Sequence, residues 1–179
     1  NMKLISIVIP MYNEEDMLPL LLQELNKVSK EISDYNFEFV CVNDGSVDNT
    51  LNELKKYQEA DERIVIVNLS RNFGHENALF AGLKEARGDA IIPMDADLQD
   101  PPEVIVDLIN VYEKGFNVVN AKRTSRKKDT FFKRNTAGLF YKTVNKLSKK
   151  VKIPNNVANF RLIDRRALNE VLKLKENNR

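Results

Sequence analysis

The chain has 179 residues, of which 42% are hydrophobic and 30% are charged. This composition is typical of a soluble globular protein of one domain, and it excludes a disordered chain, a collagen and a disulfide scaffold. A single cysteine, Cys41, cannot form an intramolecular disulfide. With one histidine, His75, the chain also lacks the residues for a zinc site built from His and Cys.

The net charge of +2 conceals two oppositely charged regions. Residues 1–120 carry 10 Lys and Arg against 22 Asp and Glu, whereas residues 121–179 carry 18 against 4. A basic segment on an acidic body predicts a polyanionic partner such as nucleic acid, anionic lipid or a phosphorylated substrate. The alternative at this point is a basic face that only contacts solvent.

Membrane and targeting signals are absent from the pattern. No apolar run approaches the roughly 20 residues that a bilayer span needs, and no signal peptide precedes the first predicted strand. We therefore expect this stretch of chain to be soluble. Because the last residues directly follow a helical pattern, we expect that the natural protein continues beyond residue 179.

Short apolar runs rich in β-branched residues alternate with longer helical patterns. The runs that predict strands are Leu4–Ile9, Phe37–Val42, Ile64–Asn68, Ala90–Met94 and Asn117–Ala121. The patterns that predict helices are Glu15–Lys30, Asp48–Ala60, His75–Ala86 and Pro102–Lys114. Continuous apolar strands are typical of a parallel sheet covered on both faces. The alternation therefore predicts an α/β fold with an open, mostly parallel sheet.

The pattern changes after residue 121. We expect a charged loop over Lys122–Asp129 and a basic amphipathic helix over Phe131–Lys150. A short strand over Asn159–Ile163 and a last helix over Arg165–Leu174 complete the prediction. We expect residues 122–179 to belong to the same single domain as residues 1–121.

Polar clusters follow the five predicted strands of residues 1–121. They are Pro10–Glu15, Asn43–Asp48, Ser70–Gly74, Asp95–Asp100 and Lys122–Arg123. In an open parallel sheet, ligands bind beyond the carboxyl ends of the strands. The five clusters together therefore predict one site, although each alone is also typical of turns and helix caps.

Asp95 and Asp97 are two carboxylates two residues apart at a predicted strand end, and they repel each other unless a cation joins them. With the amide oxygen of Gln99 they form a set of hard ligands that suits Mg²⁺ or Mn²⁺. Such ions fill their shell with water and substrate phosphates, so the sparse set predicts a metal that binds a diphosphate. Helix capping is the alternative. The chain has neither a G-x-G-x-x-G motif nor a P-loop that would bind phosphate instead.

Five motifs occur in the order found in a known family. They are Val8–Glu14, Val42–Thr50, Ser70–Gly74, Met94–Pro102 and Asn159–Arg165. They resemble the successive motifs of family 2 glycosyltransferases with a GT-A fold. The last motif is similar to that of the polyprenyl-phosphate branch, which includes dolichol-phosphate mannose synthases and bactoprenol glucosyltransferases.

The resemblance implies a nucleotide-sugar site in the acidic region. Its expected nucleotide-sugar contacts are Pro10, Tyr12, Glu14, Asp44, Asn72, Asp95 and Ala96. Its expected ligands for Mg²⁺ or Mn²⁺ are Asp95, Asp97 and Gln99. Its expected catalytic residues are Asp97, Arg123 and Arg134, with the arginines on a phosphate of donor or acceptor. Core packing is the alternative role for Tyr12, and His75 is expected to be structural or a minor phosphate contact.

The resemblance also implies a reaction: inverting transfer of a hexose or N-acetylhexosamine from a nucleotide-sugar, UDP-sugar preferred, to a polyprenyl phosphate such as undecaprenyl phosphate. The full-length protein would then act in cell-wall assembly at the cytoplasmic face of the cell membrane, with its basic segment near anionic lipid and membrane helices after residue 179. A saccharide hydroxyl as acceptor and a catalytically silent nucleotide-sugar-binding protein are the alternatives. A nucleic-acid binder is the third alternative, although the leading interpretation expects no nucleic acid as a partner, and a homo-oligomer is left open.

Asn159 departs from the family pattern, because many relatives carry Asp there as a candidate base. A phosphate monoester has a second pKa of about 6, so the acceptor is largely dianionic at neutral pH and needs little or no base. We therefore expect Asn159→Asp to change turnover by less than about tenfold, or about 1.4 kcal/mol. The alternatives are that another carboxylate, such as Asp100, serves as the base, or that the protein is impaired.

Overall fold

The computed structural model describes residues 1–123, 130–135 and 160–177, and of residues 122, 123 and 130–135 it describes the backbone alone. The strands are β1 (Lys3–Met11), β2 (Tyr35–Asn43), β3 (Ile64–Asn68), β4 (Ala90–Pro93), β5 (Val118–Arg123), β6 (Thr130–Asn135) and β7 (Arg161–Asp164). The helices are α1 (Leu18–Glu31), α2 (Thr50–Ala60), α3 (His75–Glu85), α4 (Val104–Tyr112) and α5 (Arg165–Glu176).

The strands of the described residues form one sheet in the order β3-β2-β1-β4-β7-β5-β6. Strands β1 to β4 are mutually parallel. Strand β7 inserts antiparallel between β4 and β5, and β6 pairs antiparallel with β5. Strands β1 to β5 therefore run in one direction, and their carboxyl ends meet at one side of the sheet, here called the carboxyl edge. The mostly parallel α/β sheet expected from the sequence is confirmed.

Both faces of the sheet are covered by helices. In β1, Ile7 and Ile9 belong to a core that includes residues of α1, α2 and α4, whereas Val8 belongs to a core that includes residues of α3 and α5. Successive side chains of a strand point to opposite faces, so a continuous apolar strand fills both cores. None of the helices in the described part of the chain has the length and apolarity that a membrane span requires.

A buried polar network occupies the opposite side of the sheet, here called the amino edge. Glu38 on β2 accepts hydrogen bonds from Ser6 Oγ at 2.6 Å and from the backbone N–H of Arg87 at 2.7 Å. The guanidinium of Arg87 also lies 3.1 Å from Glu38 Oε2. Ser6 Oγ accepts from the backbone N–H of Gly88 at 2.7 Å. The network therefore ties the loop between α3 and β4 to the first two strands.

The structure corrects the prediction for the start of the basic segment. Residues Thr130–Asn135 form β6, where the sequence predicted the start of an amphipathic helix after the loop over Lys122–Asp129. Lys122 and Arg123 extend β5 instead of opening that loop. Strand pairing supplies backbone hydrogen bonds from a distant segment, and local helical periodicity does not reveal such bonds. Residues 124–129 and 136–150, the rest of the predicted loop and helix, lie outside the described residues.

Candidate active site

A cavity of about 440 Å³ opens at the carboxyl edge of the sheet, where the sequence predicted a site. This volume lies within the range of about 300–1,000 Å³ that is usual for small-molecule pockets. The lining residues are Pro10, Met11, Tyr12, Glu14, Asp44, Asn72, Gly74, His75, Asp95, Ala96 and Asp97. The structure thus brings together every residue that the sequence assigned to a nucleotide-sugar.

The loops that follow β1 and β2 are held together by Asn13. Its backbone N–H donates to Ser46 Oγ at 2.9 Å, and its side-chain Oδ1 accepts from the N–H of Val47 at 2.9 Å. Asn13 has a φ of 52°, a left-handed conformation that a short polar side chain tolerates. The next residue, Glu14, donates its N–H to Thr50 Oγ1 at 3.0 Å. These contacts give the first wall of the cavity a defined shape.

Tyr12 and Glu14 show two properties of that wall. Tyr12 is 42% exposed, so core packing does not account for it, and its ring is available to a ligand. The pKa of the Glu14 carboxyl is raised, first by partial burial and then by the negative charges of Asp97 and Asp48. Negative charge is therefore crowded on this side of the cavity.

Asp44 has a role that the sequence did not reveal. It is 3% exposed, its Oδ1 accepts from the N–H of Phe73 at 2.8 Å, and its Oδ2 accepts from the N–H of Gly74 at 3.2 Å. The carboxylate thus holds the loop after β3 against the end of β2. Each oxygen keeps a further lone pair, so the expected contact with a nucleotide base remains compatible with these bonds.

Gly45 allows the loop after β3 to pass close to the backbone that follows β2. Its φ is 68°, and a Cβ added there would lie 2.3 Å from the backbone carbon of Arg71. Only glycine adopts this conformation readily and fits this space. The exposed loop that passes so close carries Asn72, which lines the cavity, and Arg71, whose guanidinium stacks 4.3 Å from the Phe73 ring centroid.

Asp95 and Asp97 follow β4 and enter the cavity together. The Asp95 side chain is 38% exposed, and its Oδ1 lies 2.7 Å from Nε2 of His75. Asp97 Oδ1 accepts from the backbone N–H of Gln99 at 3.1 Å. Gln99 itself is exposed and is not among the lining residues, so the third expected metal ligand is not brought into the cavity.

The donor set of the cavity fits a hard divalent cation. Asp95 and Asp97 offer carboxylate oxygens, and among the described side chains no Lys or Arg forms an ion pair with either of them or with Glu14. The described residues contain no closed cage of three or more His, Cys, Asp or Glu. An open set of two carboxylates leaves coordination positions for water and phosphate, which is the arrangement that Mg²⁺ prefers.

The side chains of the two predicted catalytic arginines are not among those that the structure describes. Arg123 is the last residue of β5, at the carboxyl edge. Arg134 pairs with Val119, four residues back from Arg123 along β5, which is about 13 Å at 3.3 Å per residue. The backbone register therefore brings Arg123, and not Arg134, to the edge that carries the cavity. Asn159 lies outside the described residues.

His75 is the site residue that the sequence underrated. It is the first residue of α3, it lines the cavity, and the hydrogen bond to Asp95 is the largest cause of its raised pKa. The available signal was its position directly after Gly74, at a predicted helix start beside the end of a strand. The residue that it would meet, Asp95, is 20 positions away and was not predictable from spacing.

Comparisons with known proteins agree with this geometry. A family model described as Glycosyl transferase family 2 matches residues 6–172. The chain is 47% identical over 175 residues to an uncharacterized glycosyltransferase of Synechocystis sp. The matched residues cover 98% of this chain and 54% of that protein. The chain is 44% identical over 174 residues to a prophage bactoprenol glucosyl transferase homolog of Escherichia coli, which covers 97% of this chain and 56% of that protein. The chain spans about half the length of the curated relatives it matches.

Solved structures share the fold. A mannosyltransferase of Pyrobaculum calidifontis, solved with GDP-Man and Mn²⁺, is 19% identical with a TM-score of 0.64, over 93% of this chain and 46% of that one. At this identity the likeness shows the fold alone, the GT-A fold. TarS of S. aureus, solved with UDP-GlcNAc, is 26% identical with a TM-score of 0.54, over 70% of this chain and 36% of that one. By fold, by sequence and by the place of its cavity, the chain belongs to glycosyl transferase family 2, as its five motifs predicted.

Proposed function

We propose that the protein to which this chain belongs is an inverting, metal-dependent glycosyltransferase that moves a hexose or N-acetylhexosamine from a UDP-sugar to a polyprenyl phosphate. One observation carries the proposal: a single cavity at the carboxyl edge joins Tyr12, Asp44 and Asn72 with the two carboxylates Asp95 and Asp97. An aromatic ring, a buried carboxylate, an exposed amide and a pair of metal-type ligands suit the recognition of a nucleoside diphosphate.

The nucleoside would lie against the loops of β1 and β2. The half-exposed ring of Tyr12 offers a face for a base or ribose. Asp44 keeps lone pairs that accept from the imide N–H of uracil, while its bonds to Phe73 and Gly74 fix its orientation. Because the carboxylate is already oriented, little conformational freedom is lost when a base binds.

The diphosphate would lie beside Asp95 and Asp97, which would hold a Mg²⁺ or Mn²⁺. When bound, that ion neutralises the diphosphate and stabilises the charge that builds up on the departing nucleoside diphosphate. Glu14 lies close enough to Asp97 for the two negative charges to repel each other. It therefore adds to the negative potential that attracts the cation. The acidic residues thus recruit the counter-charge that the phosphates need.

The acceptor assignment rests on the named relatives and on charge. Proteins 44% identical over most of the chain are named bactoprenol glucosyl transferases. Arg123, at the carboxyl end of β5, is the basic residue whose backbone position suits a phosphate contact. A polyprenyl phosphate is largely dianionic at neutral pH, so its oxygen attacks the anomeric carbon without a strong base. The nucleoside diphosphate leaves from the opposite face, which inverts the configuration.

A binding experiment tests the donor half. The Tm of the natural full-length protein is measured by thermal shift with UDP, GDP and ADP, each with Mn²⁺ or with EDTA. We expect UDP to raise Tm with Mn²⁺ and much less with EDTA, because a ligand stabilises the state that binds it. Asp97→Asn is the control and should lose the effect of Mn²⁺. A uniform lack of stabilisation by all three nucleotides would overturn the proposal.

A transfer experiment tests the acceptor half. The full-length protein is incubated with radiolabelled UDP-sugars, Mn²⁺, soluble saccharides and vesicles that contain undecaprenyl phosphate or undecaprenol. We expect label in the lipid fraction with the phosphate and none with the alcohol, which lacks the ionised oxygen. Label only in a soluble saccharide would favour a hydroxyl acceptor. Binding without any transfer or hydrolysis would favour a catalytically silent nucleotide-sugar-binding protein.

A further inference from the structure

We propose that His75 is a positioning residue that orients the Asp95 carboxylate for a divalent cation. The inference rests on the proposed function, since it concerns the metal–diphosphate site. Nε2 of His75 lies 2.7 Å from Asp95 Oδ1, and both side chains line the cavity. The contact crosses from the start of α3 to the loop after β4, so it joins two elements that converge on the same site.

The backbone around His75 is built to present its ring. Gly74, directly before it, has a φ of 93°, a backbone conformation that residues with a side chain rarely adopt. The N–H of Gly74 donates both to Asp44 Oδ2 at 3.2 Å and to Asn72 Oδ1 at 2.9 Å. Gly74, which directly precedes the first residue of α3, is thereby held by both of these side chains. The ring of His75 therefore starts from a backbone position that the loop after β3 and the end of β2 both define.

The chemistry of the two groups decides whether His75 or Asp95 donates the hydrogen bond. An ionised carboxylate has no proton to donate, so Nε2 of His75 carries the hydrogen and Oδ1 of Asp95 accepts it. One such bond restricts rotation of the carboxylate about its Cβ–Cγ bond. The two oxygens together have about four acceptor positions, so one bond from His75 leaves room for a cation. Fixed carboxylates bind ions better than freely rotating ones because less freedom is lost on binding.

The exposure of the pair argues against a purely structural role. The side chains of His75 and Asp95 are 47% and 38% exposed. A contact this open to water contributes little to folding. Asp95 lines the cavity together with Asp97, so the effect of this contact is expected on the binding of a cation.

The experiment compares three variants of the full-length protein with wild type: His75→Ala, His75→Gln and, as matched control, Glu76→Gln. Glu76 is the next residue of α3, exposed and outside the cavity lining. Calorimetry measures the Kd of Mn²⁺ in the presence of UDP, and the Kd of UDP in EDTA. Loss of a group that orients a metal ligand typically weakens metal binding by about 10–100-fold.

We expect His75→Ala to weaken Mn²⁺ binding about tenfold or more while the Kd of UDP in EDTA stays unchanged. His75→Gln should restore most of the affinity, because its amide N–H can donate to Asp95. Glu76→Gln should behave as wild type, and circular dichroism should show all three variants folded.

Three results would overturn the inference while the proposed function stands. One is unchanged Mn²⁺ binding in His75→Ala. Another is an equal loss of UDP affinity with and without metal, which would make His75 a direct nucleotide contact or a support of the fold. A third is failure of His75→Gln to restore binding, which would make the imidazole itself a ligand. If wild type binds no Mn²⁺ with UDP, the proposed function fails and the inference fails with it.

Discussion

Acidic side chains at the amino and carboxyl edges of the same sheet differ in the partners that they have. At the amino edge, Glu38 is buried and accepts from Ser6, from the backbone of Arg87 and from the Arg87 guanidinium. At the carboxyl edge, Glu14, Asp95 and Asp97 share one cavity, and none of the described Lys or Arg side chains forms an ion pair with them. One edge satisfies its charge within the protein, and the other, apart from the contact of His75 with Asp95, leaves charge available to a ligand.

The difference separates stability from function. A buried carboxylate with several hydrogen bonds holds strands and loops together, and its removal leaves buried donors without partners. The pKa of Glu14 is raised first by partial burial and then by the negative charges of Asp97 and Asp48, and a bound cation would relieve the repulsion among these carboxylates. We therefore expect substitutions at the amino edge to act on folding and substitutions at the carboxyl edge to act on turnover.

The largest effect is expected for Asp97→Asn. Loss of one group that stabilises transition-state charge costs about 10²–10³-fold in kcat, or about 2.7–4 kcal/mol. The free energy of unfolding without ligand should stay equal or rise, because the substitution removes the repulsion between Asp97 and Glu14. Transfer rates and urea denaturation measure the two quantities. A variant that is both inactive and unstable would contradict the proposed separation of the two edges.

Glu38→Ala should have the reverse profile. It leaves the Ser6 hydroxyl and the Arg87 backbone N–H without their acceptor, at about 3 kcal/mol of unfolding free energy in total. Urea denaturation measures the loss, and kcat of the remaining folded protein should match wild type. Arg87→Ala is the matched control. It removes the cation beside the buried carboxylate but keeps the bonds of Glu38 to Ser6 and to the backbone N–H of residue 87, so it should cost less than Glu38→Ala. Equal losses in both variants would show that the exposed cation, and not the buried acceptor, holds the network.

Gly45→Ala tests the close contact between the loop after β2 and the loop after β3. The new Cβ would meet the Arg71 backbone, so we expect about 2 kcal/mol of destabilisation together with weaker UDP binding. Gly115→Ala is the control, because Gly115 also has a positive φ of 93° but open space around the added Cβ. It should cost about 1 kcal/mol and leave UDP binding unchanged. The same UDP affinity in Gly45→Ala as in wild type would mean that the loop after β3 does not shape the nucleotide site.

The smallest effect is expected for Asn159→Asp. A dianionic phosphate acceptor needs little or no base, so turnover with undecaprenyl phosphate should change by less than about tenfold. Initial rates at saturating donor measure it, with Asn159→Ala as a comparison that adds no carboxylate. A hundredfold gain in the Asp variant alone would show that a base is required, and it would favour a hydroxyl acceptor.

Much of this molecule was predictable from local pattern. Apolar runs identified β1 to β5, with the bounds of β3 matched at Ile64–Asn68, because buried parallel strands need uninterrupted apolar residues on both faces. The carboxyl-end rule then predicted that the polar clusters after the strands meet at one edge, and those clusters contain every lining residue of the cavity except His75. These inferences need only periodicity and the direction of the strands.

Other features depended on contacts between distant segments. Strand β6 exists because Thr130–Asn135 pairs with β5, and its own sequence reads as a helix start. The hydrogen bonds of Asp44 to Phe73 and Gly74, and of His75 to Asp95, join residues 20 or more positions apart. The sequence by itself determined which residues reach the carboxyl edge, because strand periodicity is local. Only the tertiary structure decided which of their atoms meet, because hydrogen-bond geometry depends on how separate loops pack against each other.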